Sequence, residues 1–277
     1  MNKKYIKKKT GVKEQISRVF LLIALIIIAV IFQLIQPRFL MLGNVMNLLA
    51  TSSIIGVLAL GNMVLMSAGE MSFSIGAQCT MIGAVFGKFL ASQISNNLLI
   101  AFFVGIVASV IVGLFLSFFT VKLGVPTFVC TLAMATILDG CSQLLNNGTT
   151  LYSKEWPDNF NLMQYKIGGI LPIAVIVFLG IAIVIHVVYE KTRFGRHLYA
   201  VGSNPTAANN VGISVPGMRV CAFVISSVLC GFAGMIAASY NNSVSLTMGA
   251  ELMLPAIAAT MLSATFLQIG KYNVPGT

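Results

Sequence analysis

Apolar residues run along this chain in blocks too long for the helices of a soluble domain. No charge lies between Lys88 and Lys122, between Lys166 and Glu190, between Arg219 and Glu251, or between Glu251 and Lys271. Crossing a bilayer takes about 20 apolar residues in a helix, so each gap is long enough for one or two spans. The pattern predicts helices over 19–35, 45–66, 73–90, 98–120, 127–145, 169–188, 219–238 and 252–267. Polar breaks separate them, and in one of these, 67–76, Gly69 permits one helix to stop and another to start. Ser72 or Ser74 supplies a side-chain oxygen to cap the helix that follows.

The expected fold class is therefore all-α, a polytopic integral membrane helical bundle of about eight spans with a broken-helix region near 67–76. Composition supports this reading and excludes a soluble protein. Hydrophobic residues make up 57% and charged residues 9% of the 277, against about 25% charged in a soluble domain. The net charge of +10 does not mark a nucleic-acid binder, because the basic residues sit at the ends of apolar runs. With the N-terminus in the cytoplasm, thirteen of the Lys and Arg residues fall on the inner side, and four (Arg38, Lys88, Lys154, Lys166) on the outer side. The positive-inside rule selects that orientation. Residues 1–18 then form a basic cytoplasmic tail and 19–277 a single membrane domain. The apolar run after the tail is followed by Gln36-Pro37-Arg38-Phe39, with no small-residue cleavage site, so it reads as a retained helix.

The longest polar stretch inside the membrane domain is the inner loop over about 190–218. Within it Asn204-Pro205-Thr206-Ala207-Ala208-Asn209-Asn210-Val211-Gly212 reads as a short capped helix. Ser203 or Asn204 is the N-cap, Pro205 the first helical residue and Gly212 the C′ residue. Such a helix between two spans fits a cleft on another protein; an ordinary connecting loop is the alternative. On the outer side, Trp156 and Tyr152 either anchor their loop at the membrane interface or take part in docking an extracytoplasmic partner. Glu70 is an ionisable group next to the helix break. It either faces a pathway or gate, or has a structural place in the break at the inner interface.

Several chemistries find no support. No Gly-x-x-x-x-Gly-Lys-Ser/Thr loop is present to cradle ATP. The two histidines, His186 and His197, are not spaced as metal ligands. The five cysteines lie in apolar runs without a CxxC pair and read as small packing residues.

Specific strings in the chain resemble the membrane permeases of ribose-type sugar ABC importers, a family that includes xylose, arabinose and autoinducer-2 permeases. The inner loop carries Thr192-x-Phe194-Gly195-Arg196, Ala200-x-Gly202-x-Asn204, Ala207-Ala208 and Gly212-Ile213. The broken helix reads Ser67-Ala68-Gly69-Glu70-Met71-Ser72-Phe73-Ser74-Ile75-Gly76, with Ser72 where the family usually has Asp. Further matches are Pro126-x-Phe128-x-x-Thr131-Leu132 and Gly249-Ala250-Glu251-Leu252 with Ala256-Ile257-Ala258-Ala259. Ser263-Ala264 stands where the family often has a Gly pair.

The resemblance implies a non-catalytic permease subunit that moves a monosaccharide or similar small polar solute across the cell membrane. It implies that Arg193, Gly195, Arg196, Gly202, Asn204, Pro205, Ala207, Ala208 and Gly212 contact the ATPase subunits. Gly69, Glu70, Ser72, Ser74, Gly76, Phe128, Thr131, Asp139 and Glu251 are the candidates for the broken helix or the translocation path. The implied partners are cytoplasmic ABC ATPases, an extracytoplasmic solute-binding protein, a second permease copy and membrane lipid. No cofactor or metal belongs to this chain, since the partner ATPase binds the ATP. The full family fold implies about ten spans of roughly 20 residues, and the closing Gly276-Thr277 matches a family loop that leads into further helices. The expectation is thus of a C-terminally truncated chain, whose small-residue face 231–238 would lack a partner helix. An ion-coupled secondary transporter is the main alternative; it would use intramembrane acids such as Glu70, Asp139 and Glu251. A membrane-embedded enzyme would need clustered nucleophiles, acids or metal ligands, and none is found.

Overall fold

The structure, a computed structural model, describes residues 12–92, 97–152, 156–266 and 271–277, without the side chains at 12–22, 24, 158, 265 and 266. Most of the expected basic tail, Lys154 and Glu155, and the end of the last expected span therefore lie outside the described residues. The chain divides into two compact units, Met1–Leu48 and Leu49–Thr277.

In the first unit, helix α1 covers Val12–Ile35 and starts within the expected tail rather than at residue 19. Pro37 cannot donate to a helical ladder, and the chain turns there. The Gln33 side chain satisfies the freed backbone. Its Nε2 donates to the Pro37 carbonyl at 2.9 Å and its Oε1 accepts the Leu40 N–H at 2.9 Å. Phe39 stacks on Phe32 with centroids 5.4 Å apart.

The second unit takes up helix α2 (Leu42–Ser67) from Leu49 and continues with α3 (Ile75–Ala91), α4 (Leu98–Ser117), α5 (Thr127–Leu145), α6 (Ile173–Lys191), α7 (Arg193–Ser203), α8 (Pro205–Asn210), α9 (Val215–Asn241) and α10 (Met248–Phe266). A π-helical turn, Phe118–Lys122, prolongs α4. Among the described residues, five helices are long and apolar enough to cross a membrane: Leu42–Ser67, Leu98–Lys122, Thr127–Leu145, Ile173–Lys191 and Val215–Asn241. Shorter apolar helices at Leu25–Ile35, Ile75–Ala91 and Met248–Ala264 occupy the remaining expected positions. The fold is an all-α membrane bundle that also carries a short hairpin. Lys166–Ile167 (β1) pairs antiparallel with Leu171–Pro172 (β2). Gly169, expected to open the sixth span, instead sits in the hairpin turn at φ +73°.

Helix α3 is the hub. It packs against α4, α5, α9 and α10, and most of its residues are buried. Its contact with α10 is backbone on backbone. A Cβ on Gly249 would overlap the Gly76 carbonyl oxygen, and the Gly249 N–H donates to Thr80 Oγ1 at 2.9 Å. Small residues allow this approach, and close packing is what associates helices in a membrane. The same accounting corrects the expected open face at 231–238. Every residue there is buried or nearly so, with Gly231 against Ser109 of α4 and Gly234 against the Cys79 carbonyl of α3.

Two apolar clusters fill the unit. One holds Phe86, Trp156, Phe160 and Val244, the other Ala68, Tyr189, Leu198 and Phe223. They mark opposite ends of the helices. At the first end Leu151 bridges Val244, and Trp156 is buried. Its indole N–H donates to the Gly87 carbonyl at 2.9 Å and its ring stacks on Phe160 at 4.0 Å. Trp156 is thus a core residue that pins a folded loop onto α3, rather than an interface anchor or an exposed docking residue. Tyr152 is exposed. All five cysteines are free; Cys79 and Cys230 are buried, whereas Cys221 is exposed and fills no packing gap.

Candidate functional site

The two segments singled out in the sequence, 67–76 and 190–218, fold against each other at the second end of the bundle. Helix α2 stops in a Schellman turn. Gly69 takes φ +83°, the Glu70 N–H donates to the Leu65 carbonyl at 3.0 Å and the Gly69 N–H to Met66 at 3.1 Å. A residue with a Cβ avoids that backbone conformation.

Glu70 then ties three elements together. Its Oε1 lies 3.2 Å from Arg219 Nε of α9, both side chains being partly buried. Its Oε2 accepts the Thr127 hydroxyl at the start of α5. The structure gives Glu70 a partnered place in the break, not a free and merely solvated one. Phe73 follows, its N–H donating to Thr131 Oγ1 at 3.2 Å and its ring meeting Phe128 edge-on at 5.2 Å. Thr131 is buried, so its hydroxyl satisfies the backbone of the break instead of lining a path. Phe128 is exposed.

The expected capping by Ser72 or Ser74 is not made. Ser74 occupies the N-cap position of α3 without a side-chain cap bond. Its hydroxyl pairs with Ser72 at 3.0 Å and accepts from Gln78 Nε2 at 2.8 Å. Gln78, on the first turn of α3, competes successfully for the oxygen that would have capped it.

The inner loop contains two helices where one was expected. Helix α7 is amphipathic. Gly195, Leu198 and Val201 are buried, while Arg193, Arg196 and His197 are exposed. The apolar spacing of Phe194, Leu198 and Val201 was a readable signal of this helix, obscured by its basic residues. Two glycines seat it. A Cβ on Gly195 would overlap the Tyr189 carbonyl of α6, and one on Gly202 would overlap the Ser67 carbonyl of α2 and lie 3.1 Å from the Gly69 nitrogen.

Tyrosines complete the seat. Tyr189 and Tyr199 meet edge-on at 5.5 Å, the Tyr199 hydroxyl donates to the Tyr272 carbonyl, and Lys271 Nζ lies 4.5 Å over the Tyr199 ring. Burial, with a contribution from the Glu190 charge, pushes the Tyr199 phenol up to about 12. It therefore stays a protonated donor throughout the physiological range. Sequence reasoning missed Arg219, Thr127, Tyr189 and Tyr199, whose roles depend on long-range contacts.

Helix α8 matches its expected form closely. Asn204 Oδ1 accepts the Ala207 N–H at 2.9 Å, Pro205 is the first helical residue and Gly212 takes φ +82°. The Ile213 N–H donates to Ala208 at 3.0 Å and the Gly212 N–H to Asn209 at 3.0 Å. Ala208 is buried and Ala207 exposed, so the helix offers one small-residue face outward. Three other candidates lie elsewhere. Gly76 packs on Gly249, Asp139 sits partly buried on α5, and Glu251 is exposed in the first turn of α10, accepting from Thr247 Oγ1 at 3.1 Å. Among the described residues no cluster of His, Cys, Asp or Glu is suited to hold a metal.

Residues 44–274 match the family described as branched-chain amino acid transport system / permease component. The chain belongs to this family. Its members are non-catalytic membrane subunits of transport systems, and this chain is a multi-pass permease component. It is 27% identical over 263 residues to the ribose import permease protein RbsC of Escherichia coli strain K12, covering 92% of this chain and 80% of that protein. It is 29% identical over 260 residues to RbsC of Haemophilus influenzae, covering 92% and 79%. It is 28% identical over 263 residues to the autoinducer 2 import system permease protein LsrD of an Enterobacter strain, covering 93% and 79%. No solved structure matches the chain.

Proposed function

We propose that this chain is the permease subunit of an ATP-binding-cassette importer for a monosaccharide or similar small polar solute. The relatives named for ribose and autoinducer 2 import support the solute class. Cytoplasmic ATPase subunits bind and hydrolyse the ATP, an extracytoplasmic binding protein delivers the solute, and a second permease copy completes the path through the lipid bilayer. The N-terminus is cytoplasmic, as the distribution of basic residues favours, so the end carrying α7, α8 and the α2 break faces the cytoplasm.

One observation carries the mechanism. The capped helix α8 follows α7 after one extended residue, Asn204, and α7 rests backbone to backbone on the break of α2 at Gly202 and Gly69. A push from the ATPases on the exposed face of α8 reaches the break without an intervening side chain to absorb it. From the break, Glu70 passes the displacement to α9 through Arg219 and to α5 through Thr127. Ion coupling fits less well, because Glu70 is held by Arg219 and Thr127 while Asp139 and Glu251 stand on separate helices.

Ala207→Glu tests the coupling role. Placed on the exposed face of α8, the carboxylate is desolvated on docking without a partner, at a cost of several kcal/mol. Membrane insertion is expected to be unchanged and ATP-driven uptake to fall by at least about 10-fold; normal uptake by the variant would remove α8 from the coupling role. Orientation has its own test. In a background free of reactive cysteines, Tyr152→Cys should react with an impermeant thiol reagent added outside intact cells, and Ser203→Cys should not. The reverse pattern inverts the topology.

A further inference from the structure

Helix α5 leaves most of its circumference uncovered, and what it exposes is not uniformly apolar. Thr136, Gly140 and Gln143 are exposed and Asp139 is partly so. Spacings of three and four place Thr136, Asp139 and Gln143 in one row on a helix. Thr136 Oγ1 satisfies itself on the Ala133 carbonyl at 2.8 Å. Among the described residues, neither the Asp139 carboxylate nor the Gln143 amide meets a hydrogen-bonding or charged partner. The same row continues toward the start of the helix as Leu132 and Phe128, both exposed. Flanking it lie Ala133 and Ile137, which suit lipid.

Lipid is a poor neighbour for the polar part of that row. At 1.5 Å per residue, Asp139 lies about 18 Å from the first residue of α5 and about 9 Å from the last. A carboxylate on a single methylene cannot reach the interface from there as a long Lys or Arg side chain does. An ionisable group at such depth ordinarily faces a water-filled cavity or a partner.

We infer that this row of α5 is the solute-contacting wall of the translocation path. Thr136, Asp139 and Gln143 form a polar outer vestibule for a neutral, hydroxyl-rich solute, and Phe128 with Leu132 forms its apolar inner closure. The inference rests on the permease reading above and adds to it the residues and the ligand chemistry. A carboxylate accepts hydroxyl donors in pairs, while an amide both donates and accepts. Helix α5 carries no Lys or Arg, so this wall offers no cation to the carboxylate of an amino acid or to a phosphate. The closure is mechanically placed. Phe128 touches Phe73, and Phe73 hangs from Thr131 in the break on which α7 rests. Displacing the break therefore moves the aromatic pair at the inner end of the row.

The test uses the assembled importer in vesicles, with Cys130, Cys141 and Cys221 replaced by serine. Single cysteines are introduced at Thr136, Gln143, Ala133 and Ile137. A charged, water-soluble thiol reagent is added from the binding-protein side. Thr136→Cys and Gln143→Cys are expected to react at least about 10-fold faster than Ala133→Cys and Ile137→Cys, given the cost of charge in hydrocarbon. Neutral pentoses and hexoses are then added as protecting solutes, with leucine as the zwitterionic probe; protection by a sugar and none by leucine is expected. Equal slow reaction at all four positions overturns the wall, and protection by leucine alone overturns the solute class. If the serine background itself shows ATP-driven uptake of neither sugars nor leucine while the unsubstituted chain does likewise, the permease reading fails instead.

Discussion

Gly249→Ala is expected to destabilise the folded protein by about 3 kcal/mol, although alanine is normally the better helix residue. The added methyl has no room, since a Cβ at this position overlaps the backbone carbonyl of Gly76 and crowds Thr80 Oγ1. Backbone atoms cannot rotate aside as a flexible side chain does. Helices α3 and α10 must separate, and the hydrogen bond from the Gly249 N–H to Thr80 is lost with the contact. Gly180 on α6 is the control, because nothing lies within 4 Å of a Cβ there. Gly180→Ala should be neutral or stabilising by up to about 1 kcal/mol. Thermal unfolding in detergent, read by exposure of buried Cys79 to a thiol reagent, distinguishes the two. For a chain of this size the Gly249 variant should lose roughly 5–10 °C in Tm. Equal Tm values for the two variants would mean that α10 does not sit on α3 as described.

The features that could be read from the sequence are those written by neighbours in the chain. The cap of α8 needs only Asn204, Pro205 and Gly212 at fixed offsets, and all three occupy their expected places. The spans were visible because long charge-free runs have few alternatives to crossing a membrane. What stayed hidden was tertiary. Nothing local tells Glu70 that Arg219 will face it, or Gly202 that its neighbour is Gly69. Trp156 was misplaced because its amphipathic ring suits an interface, whereas here a carbonyl of α3 takes its N–H within the core. The face 231–238 was expected to lie open because its partner helix was sought in spans beyond Thr277. Small residues announce a close neighbour but do not say which helix it is.

Those hidden contacts also organise the proposed mechanism. Elements that are far apart in sequence converge on the residues 65–74, which are the end of one helix and the approach to the next. A continuous helix there would transmit a push along its own axis. The Schellman turn at Gly69 instead makes a joint, and the joint is held from three sides by α5, α7 and α9.

Gly202→Ala is the sharpest test of that joint. The new Cβ overlaps the Ser67 carbonyl and presses on the Gly69 nitrogen, so α7 must lift from α2. Lifting costs about 1–3 kcal/mol, and its burden falls on the seated state that transmits the push. Insertion and bundle stability should be retained, since α7 lies outside the membrane-spanning helices. ATP-driven uptake in the assembled importer is expected to drop by about 10-fold or more. A structural readout accompanies it. Arg193 and Arg196 are exposed on α7, and trypsin should cut there faster once the helix is unseated. Ser203→Ala, at the exposed neighbouring position, should change neither quantity. If Gly202→Ala leaves both uptake and tryptic cleavage at the level of the unsubstituted protein, the contact between α7 and the broken helix is not the route by which force enters the bundle.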